Sequence, residues 1–347
     1  MADNLRREIY FDRREKPLSA DVTNYCSSDC SHCFVRAGIS KRSSLSTELI
    51  KEIIIEGHNA GYFNLHITGG EPLLWEGLFE VLDCAFELGY ETVFLNSNGK
   101  LLSETVSKKF LSYGGLSVSV SMEGPEALHD LVRGKGSYWL TAKNIEKALE
   151  VWLELFIFTT VRKSLLKELH RFVDETYKRF PGIKDLILIQ LIRVPNDKFD
   201  LSKELLSPSD FLQLVRATAL LNLYGHKTTI LSNPLACVAS KLLKMPWITH
   251  SRPLYREGSI IVMANCDITL SHSNSDSFGK FETGMLRKVL NSDEYRDATS
   301  LDKKICPLCR YHGMCMENSM LRPSEWFRGV HADLPYCKRV LDRASAS

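Results

Sequence analysis

"TNYCSSDCSHCF" occupies residues 23–34 and begins on the last two residues of "LSADVTN" (18–24), which reads as a β-strand. Cys26, Cys30 and Cys33 stand at CxxxCxxC spacing, and no fourth cysteine lies close by to close a tetrahedron. Structural zinc wants four closed ligands. Three thiolates on an iron–sulfur cube instead leave one iron open to an outside ligand. Free or zinc-binding thiols are the alternative, but three cysteines within eight residues rarely serve packing alone. In βα barrels reactive groups gather at the C-terminal ends of strands, and the loop has that position.

Outward from this loop, short β-branched runs alternate with amphipathic stretches. "STELIKEIIIEGHNAG" (46–61) reads as a helix capped by Ser46 and stopped by Gly61. Further strands are expected at 62–68, 91–97, 116–122, 154–160 and 185–192. Helices are expected near 76–89, 101–112, 141–152 and 164–180, and another at 208–224 begins with Ser207 and Pro208. Strands separated by whole helices make βαβ units and a parallel sheet. Six units with no dinucleotide fingerprint at the first turn fit a partial (β/α)6 TIM-like barrel. After about residue 235 the alternation stops. "SIIVMANCDITLSHS" (259–273) reads as a hairpin, and the remainder is short, polar and cysteine-rich. The expected division is an arm at 1–17, a core barrel at 18–235 and a small C-terminal domain at 236–347.

The other strand ends carry a matching series. "TGGEP" follows the second strand, and Gly69 and Gly70 remove side chains where a ligand approaches backbone, with Glu71 and Pro72 stiffening the turn. "NSNG" (96–99) follows the third strand. "SVSMEGPEALHDLVRGKG" (119–136) follows the fourth, with Ser119 and Ser121 facing the same way and Arg133 downstream. A lone GG pair is usually just a turn, but four such strand ends in succession are not accidental.

CxxxCxxC after the first strand, GGEP after the second and small polar residues after the next two resemble the radical S-adenosylmethionine (radical SAM) superfamily, over about residues 16–235. The resemblance implies a [4Fe–4S] cluster on Cys26, Cys30 and Cys33 whose open iron is chelated by S-adenosylmethionine. It places His32 near the adenine and Gly69, Gly70, Glu71 and Pro72 at the methionine amino group. Asn96 and Ser97 would lie beside the ribose, with Ser121 and Arg133 near the ribose or carboxylate. Glu123 stands where many relatives have aspartate and receives no role; His129 and Asp130 read as helix caps. The implied chemistry is reductive cleavage of S-adenosylmethionine to a 5′-deoxyadenosyl radical, which abstracts hydrogen from a C–H bond. A one-electron donor such as flavodoxin or ferredoxin is expected.

"CPLCRYHGMC" adds Cys306, Cys309 and Cys315 at CxxCx5C, and Cys337 completes a quartet. On pattern alone, tetrathiolate zinc and a closed [4Fe–4S] cluster fit equally. The hairpin, "VLNSDEYRDA" and the quartet together are similar to the SPASM domain behind many radical SAM cores. That similarity implies one auxiliary [4Fe–4S] cluster, with zinc as the alternative. A second, inner cluster would need cysteines near Ser271 and Ser319, where none stands. Without it, redox-neutral outcomes such as epimerisation gain weight beside oxidation. Cys266, at the hairpin turn, is a candidate hydrogen-atom donor, against the plainer reading of a small buried residue. Cys84 and Cys237 read as core.

The whole chain sets the remaining bounds. Its 347 residues are 44% hydrophobic and 25% charged, with a formal charge of +2, so no charge excess attracts nucleic acid or anionic membrane. No stretch approaches the roughly 20 apolar residues that span a bilayer, and no signal peptide opens the chain, so a cytoplasmic protein is expected. The arm before the first strand leaves no room for a leader-binding domain. The substrate is thus a small molecule, or a peptide recognised by other means, with "RVPNDKFD" (193–200) and the 236–258 stretch as candidate shapers of the pocket mouth. The competing class of function is a non-enzymatic, zinc-stabilised binding module on the same barrel, which would leave the three-ligand loop and GGEP unexplained.

Overall fold

The structure, a computed structural model, describes residues 17–192, 200–231, 234–245, 260–270, 272, 277–299, 310–311 and 334–346. Strand and helix alternate from β1 (Pro17–Thr23) and α1 (Thr47–Asn59) through β2 (Asn64–Gly69), α2 (Leu78–Leu88), β3 (Thr92–Ser97) and α3 (Glu104–Leu111). There follow β4 (Leu116–Ser121), α4 (Glu126–Arg133), α5 (Ser137–Glu150), β5 (Leu155–Val161), α6 (Lys163–Leu166), α7 (Leu169–Arg179) and β6 (Asp185–Gln190). Next come α8 (Pro208–Leu223), β7 (Thr228–Leu231) and α9 (Pro234–Leu242). Beyond lie β8 (Ile260–Val262), β9 (Ile268–Thr269), α10 (Met285–Leu290), α11 (Asp293–Thr299) and α12 (Leu334–Ser345).

All six expected strands are present within two residues of their expected bounds. They form one sheet, in the order β7-β6-β5-β4-β3-β2-β1-β8-β9 among the described residues. The strands from β1 to β7 pair in parallel with their neighbours in sequence, the arrangement of a partial barrel. Three features differ from the sequence reading. A seventh parallel strand, β7, is only four residues long and begins with two threonines, so it lacks a hydrophobic run. Helix α4 lies inside the stretch read as a strand-end loop. The expected hairpin exists as β8 and β9, but β8 also pairs in parallel with β1 (Leu18 with Ile260, Ala20 with Val262), so it extends the barrel sheet itself.

Local signals start the helices as read. Ser46 accepts a hydrogen bond from Leu49 N at the start of α1, and Ser207 and Asp210 form a reciprocal capping box at α8 with Pro208 in the first turn. Along each strand alternate residues face opposite sides. Leu18, Ala20 and Val22 of β1, Leu65 and Ile67 of β2, and Val118 and Val120 of β4 join helix residues such as Ile50, Ile53, Leu82 and Ile145 in the main core. A separate cluster of Phe94, Phe156, Ile187 and Leu231, with Phe158 and Ile189 against it, comes from β3, β5, β6 and β7. Phe94 packs against both Phe156 and Phe158 with ring centroids 5.6 and 5.7 Å apart.

C-terminal helix α12 packs on α8 and α9. Tyr336 fastens it: its hydroxyl donates to Leu206 O (3.0 Å) and accepts from Gln190 Nε2 (3.4 Å). Cys337, the neighbouring residue, is buried on this helix. Cys306, Cys309 and Cys315, Ser319 and Ser271, and most of 193–200 and 246–258 lie outside the described residues, as does the arm through residue 16. Among the described residues no helix is long and apolar enough to cross a membrane.

Candidate active site

The cysteine loop is tied back onto its own strand. Asn24 N donates to Ser43 O (2.8 Å), Gly38 N to Asn24 O (3.1 Å) and Leu45 N to Val22 O (3.0 Å), so both loop ends leave from the end of β1. Within it Cys33 N donates to Cys30 O, and Ala37 N donates to Cys33 Sγ at 3.3 Å. All three thiols are free and line one cavity. Burial pushes each thiol up from its ordinary value, Cys33 to about 12. Metal binding at these sulfurs therefore has to displace protons.

Glycines in the second strand end serve the loop directly. A Cβ on Gly70 would lie 2.1 Å from Tyr25 O, and one on Gly69 would lie 2.4 Å from Thr23 O. Gly69 also sits at φ +125°, which a side chain disfavours. The backbone that approaches these glycines is thus the protein's own, while both residues also line the cavity. Gly70 N donates to Thr23 O (2.6 Å) and Glu71 N to Tyr25 O (2.9 Å), stitching the turn to the root of the cysteine loop. Gly70→Ala is expected to destabilise the protein by about 1–3 kcal/mol, the usual cost of overpacking, and to lower iron loading. Thermal unfolding beside Gly114→Ala, whose Cβ meets nothing within 4 Å, checks this.

Glu71 and Pro72 are buried behind this turn and do not line the cavity. The Glu71 carboxylate accepts from Ser97 Oγ (2.8 Å) and Asn98 N (2.7 Å), clamping the third strand end, and from Leu73 N (3.2 Å). Burial raises its pKa above the ordinary value against these donors. The NSNG turn is held on two further sides. Thr141 Oγ1 and Asn144 Nδ2 of α5 donate to Asn98 O and Gly99 O, while Asn98 Nδ2 donates to Ser27 Oγ (3.2 Å) and lies 3.7 Å from Cys26 Sγ. Lys100 Nζ reaches Ser28 Oγ (2.8 Å) and Arg133 O (3.2 Å), bringing a cation to the loop.

Arg133 does not stand free toward a ligand. Its Nε and Nη2 donate to Glu123 Oε1 at 3.0 and 2.6 Å, and His32 Nε2 lies 3.4 Å from the same oxygen. Thr160 N donates to the other oxygen at 3.2 Å. Burial opposes ionisation of Glu123, but His32 and Arg133 outweigh it and hold its carboxyl well below the usual carboxylate range. Glu123, which the sequence reading left without a role, therefore positions both His32 and Arg133. Asp130 caps α5 by accepting from Tyr138 N (2.8 Å) and Gly136 N (2.6 Å), and His129 Nδ1 accepts from Glu123 N.

One cavity thus gathers Cys26, Cys30, Cys33, His32, Gly69, Gly70, Asn96, Ser97, Ser121 and Arg133. Its walls differ. Beside the cysteine loop they are polar, with Ser119 Oγ donating to Asn96 Oδ1 (2.6 Å). Across the barrel they are Phe158, Ile189, Leu191 and Ile192. His66, Thr68, Asn98, Thr160, Gln190 and His272 also line it and were not singled out from sequence. Asn98 was within reach, lying inside the quoted NSNG turn. Cys266, at φ +69° in the β8–β9 turn, does not line the cavity.

Donor chemistry fits a cluster in the loop. Three free thiols on one cavity are the ligand type such a cluster takes, while among the described residues no three Cys, His, Asp or Glu side chains are placed to hold a single metal ion.

Residues 21–174 match the model of the Radical SAM superfamily. The chain is 31% identical over 130 residues to mycofactocin maturase MftC of Mycolicibacterium smegmatis, covering 37% of this chain and 33% of that protein. It is 30% identical over 204 residues to AdoMet-dependent heme synthase of Methanosarcina barkeri, covering 57% and 56%. These matches therefore span a third to just over half of the curated relatives' length. Among solved structures, anSMEcpe with bound AdoMet superposes with a TM-score of 0.67 at 16% identity, covering 94% of this chain and 99% of that one. Streptococcus suis SuiB bound to precursor peptide SuiA gives 0.68 at 14% identity, covering 93% and 78%. At these identities the structures show a shared fold.

Proposed function

Because the chain belongs to the radical SAM superfamily, we propose that Cys26, Cys30 and Cys33 hold a [4Fe–4S] cluster and that the adjoining cavity seats S-adenosylmethionine and a substrate. The protein is an enzyme, and its family implies both groups. Bound there, they would supply radical chemistry at a C–H bond of the substrate. The observation that carries the reading is the joining of four strand ends around one two-walled cavity. Asn96, Ser97 and Ser121 offer short polar groups to a nucleoside. Glu123 fixes Arg133 and His32 at the cavity wall, and Lys100 adds positive charge beside the loop. Phe158, Ile189, Leu191 and Ile192 keep water from the far side, as radical chemistry requires.

The substrate class is a small molecule or a peptide; SuiB's bound precursor peptide and the maturase name of MftC support the peptide side. In the C-terminal part, residues 236–347, the quartet Cys306, Cys309, Cys315 and Cys337 would hold one auxiliary [4Fe–4S] cluster in a SPASM-like arrangement. A flavodoxin or ferredoxin would supply the electron, and the cytoplasm would be the compartment. Anaerobic purification with iron, sulfide and zinc quantified, beside EPR of the reduced protein with and without S-adenosylmethionine, tests the reading. About eight irons and a signal perturbed by S-adenosylmethionine are expected. About four irons with one zinc would make the quartet structural and favour a redox-neutral reaction. No iron and no effect of S-adenosylmethionine would overturn the proposal.

A further inference from the structure

Side chains facing into the barrel change character halfway round it. Alternate strand residues point the same way. From β2 to β4, those that line or border the cavity are His66, Thr68, Asn96, Ser119 and Ser121, all polar. On β5 and β6 the inward positions are Phe156 and Phe158, then Ile187 and Ile189, with Leu191 just beyond. Phe156 and Ile187 are closed off, at 4% and 0% exposed. Phe158 and Ile189, one inward step nearer the cysteine loop, are only partly buried, and both line the cavity. Thr160 and Gln190 add polar atoms on this side, and Gln190 Nε2 is turned onto Tyr336. Among the described residues, Glu123 and Arg133 are the only Asp, Glu, Lys or Arg side chains lining the cavity, and they are hydrogen-bonded to each other. Burial, and then His272, bring His66 down to about 3, so that ring is neutral. No unpaired carboxylate, ammonium or guanidinium among the described residues thus faces the β5–β6 wall.

We propose that Phe158 and Ile189 select the substrate, and that the group presented for reaction is an uncharged aliphatic or aromatic body packed on this wall. The proposal rests on the reading of the cavity as a reaction chamber. An apolar group placed here takes its own surface and that of Phe158 and Ile189 out of water together. A carboxylate or ammonium in the same place loses its hydration and meets no opposite charge. One wall therefore favours one class of ligand and penalises the other, which is what discrimination requires. Phe158 also sets the depth. Its ring lies 5.7 Å from that of Phe94, which packs in turn on Phe156 at 5.6 Å, in one cluster with Ile187 and Leu231. A ring backed by a close-packed layer does not retreat to admit a longer ligand. The occupant is thus of about leucine or phenylalanine kind, either as a side chain of a peptide or as the hydrocarbon end of a free molecule.

The test uses the full-length protein, anaerobic and reconstituted with iron, sulfide and S-adenosylmethionine, with isoleucine δ1-methyl groups labelled with 13C. The probes are N-acetyl-leucinamide, N-acetyl-lysinamide and 3-methylbutan-1-ol. The leucine probe is expected to shift the methyl signals of Ile189 and Ile192 and to leave that of Ile54, in the main core on α1, unmoved. Its Kd is expected to lie at least about tenfold below that of the lysine probe. Phe158→Glu is expected to reverse this order, because it sets a carboxylate on the wall. Should that variant not fold, the wild-type order and the methyl shifts decide alone. Equal or tighter binding of the lysine probe would overturn the proposal. So would shifts that spare Ile189, or no binding of the leucine probe. The alcohol separates the two sources: binding as tight as that of the leucine probe upholds the apolar class as a free molecule, and weaker binding upholds it as a peptide side chain. Formation of 5′-deoxyadenosine from S-adenosylmethionine and dithionite, measured on wild type without probe, decides the radical reading separately.

Discussion

Cys30→Ala protein, reconstituted anaerobically with iron and sulfide, is expected to lose about half of the wild-type iron and to form no detectable 5′-deoxyadenosine from S-adenosylmethionine. The loss should exceed about 100-fold, because losing an outer-shell partner alone costs 10–100-fold and a ligand matters more. Cys30 belongs to the loop rather than to the packed core, so the fold survives its truncation. Circular dichroism and a melting temperature near wild type are expected beside the missing iron. Iron held by the quartet would remain in this variant, which would separate the two sites. Wild-type iron content in Cys30→Ala would show that the loop holds no cluster.

Glu123→Ala is expected to bring the largest loss of stability among single substitutions at the site, about 3–5 kcal/mol, the cost of stripping a buried charge of its partner. Arg133 is the stranded charge, its side chain 10% exposed and otherwise bonded through Nε and Nη2 to that one carboxylate oxygen. Against a total stability of about 5–15 kcal/mol the change is severe. Urea unfolding measures it. Adding Arg133→Met should recover part of the loss, because it removes the unpaired charge. The pair also sets an acid limit. The folded carboxyl of Glu123 ionises more readily than an unfolded one, so its stabilisation is complete above about pH 4.3 and declines as pH falls toward its lower folded value. Glu123→Gln should flatten that acid limb of the stability curve.

Local sequence carried the barrel well where each element announced itself. The six long strands show β-branched runs, and Ser46 and Ser207 cap as read. It failed where an element depends on its neighbours. The four residues of β7 become a strand because β6 presents an unpaired edge, and β8 is a barrel strand because β1 does. Candidate site residues followed the same division. The cysteines and strand-end turns are contiguous motifs and fall on one cavity. The direction of Glu71, turned away onto Ser97 and Asn98, depends on a backbone bend held by Gly70 against Tyr25. Glu123 acquires its role from Arg133, ten residues along, and from His32 on another loop. The meeting of Asp21 with His272 spans most of the chain and has no local signature.

Pairing of β1 with β8 sets an order of events during synthesis. Strand β1 is among the first described segments to leave the ribosome, yet one of its two partners is about 240 residues behind it. Until Ile260–Val262 arrives, β1 has an open edge of unsatisfied amides, an invitation to pair with other chains. Closing so long a loop is slow compared with forming the adjacent βα units. The root of the cysteine loop hangs from the end of this strand, so it gains its final support only after the hairpin docks. Iron–sulfur assembly on a nascent chain would meet an unfinished seat, which makes cluster delivery a late, post-translational step and the half-made barrel a client for chaperones.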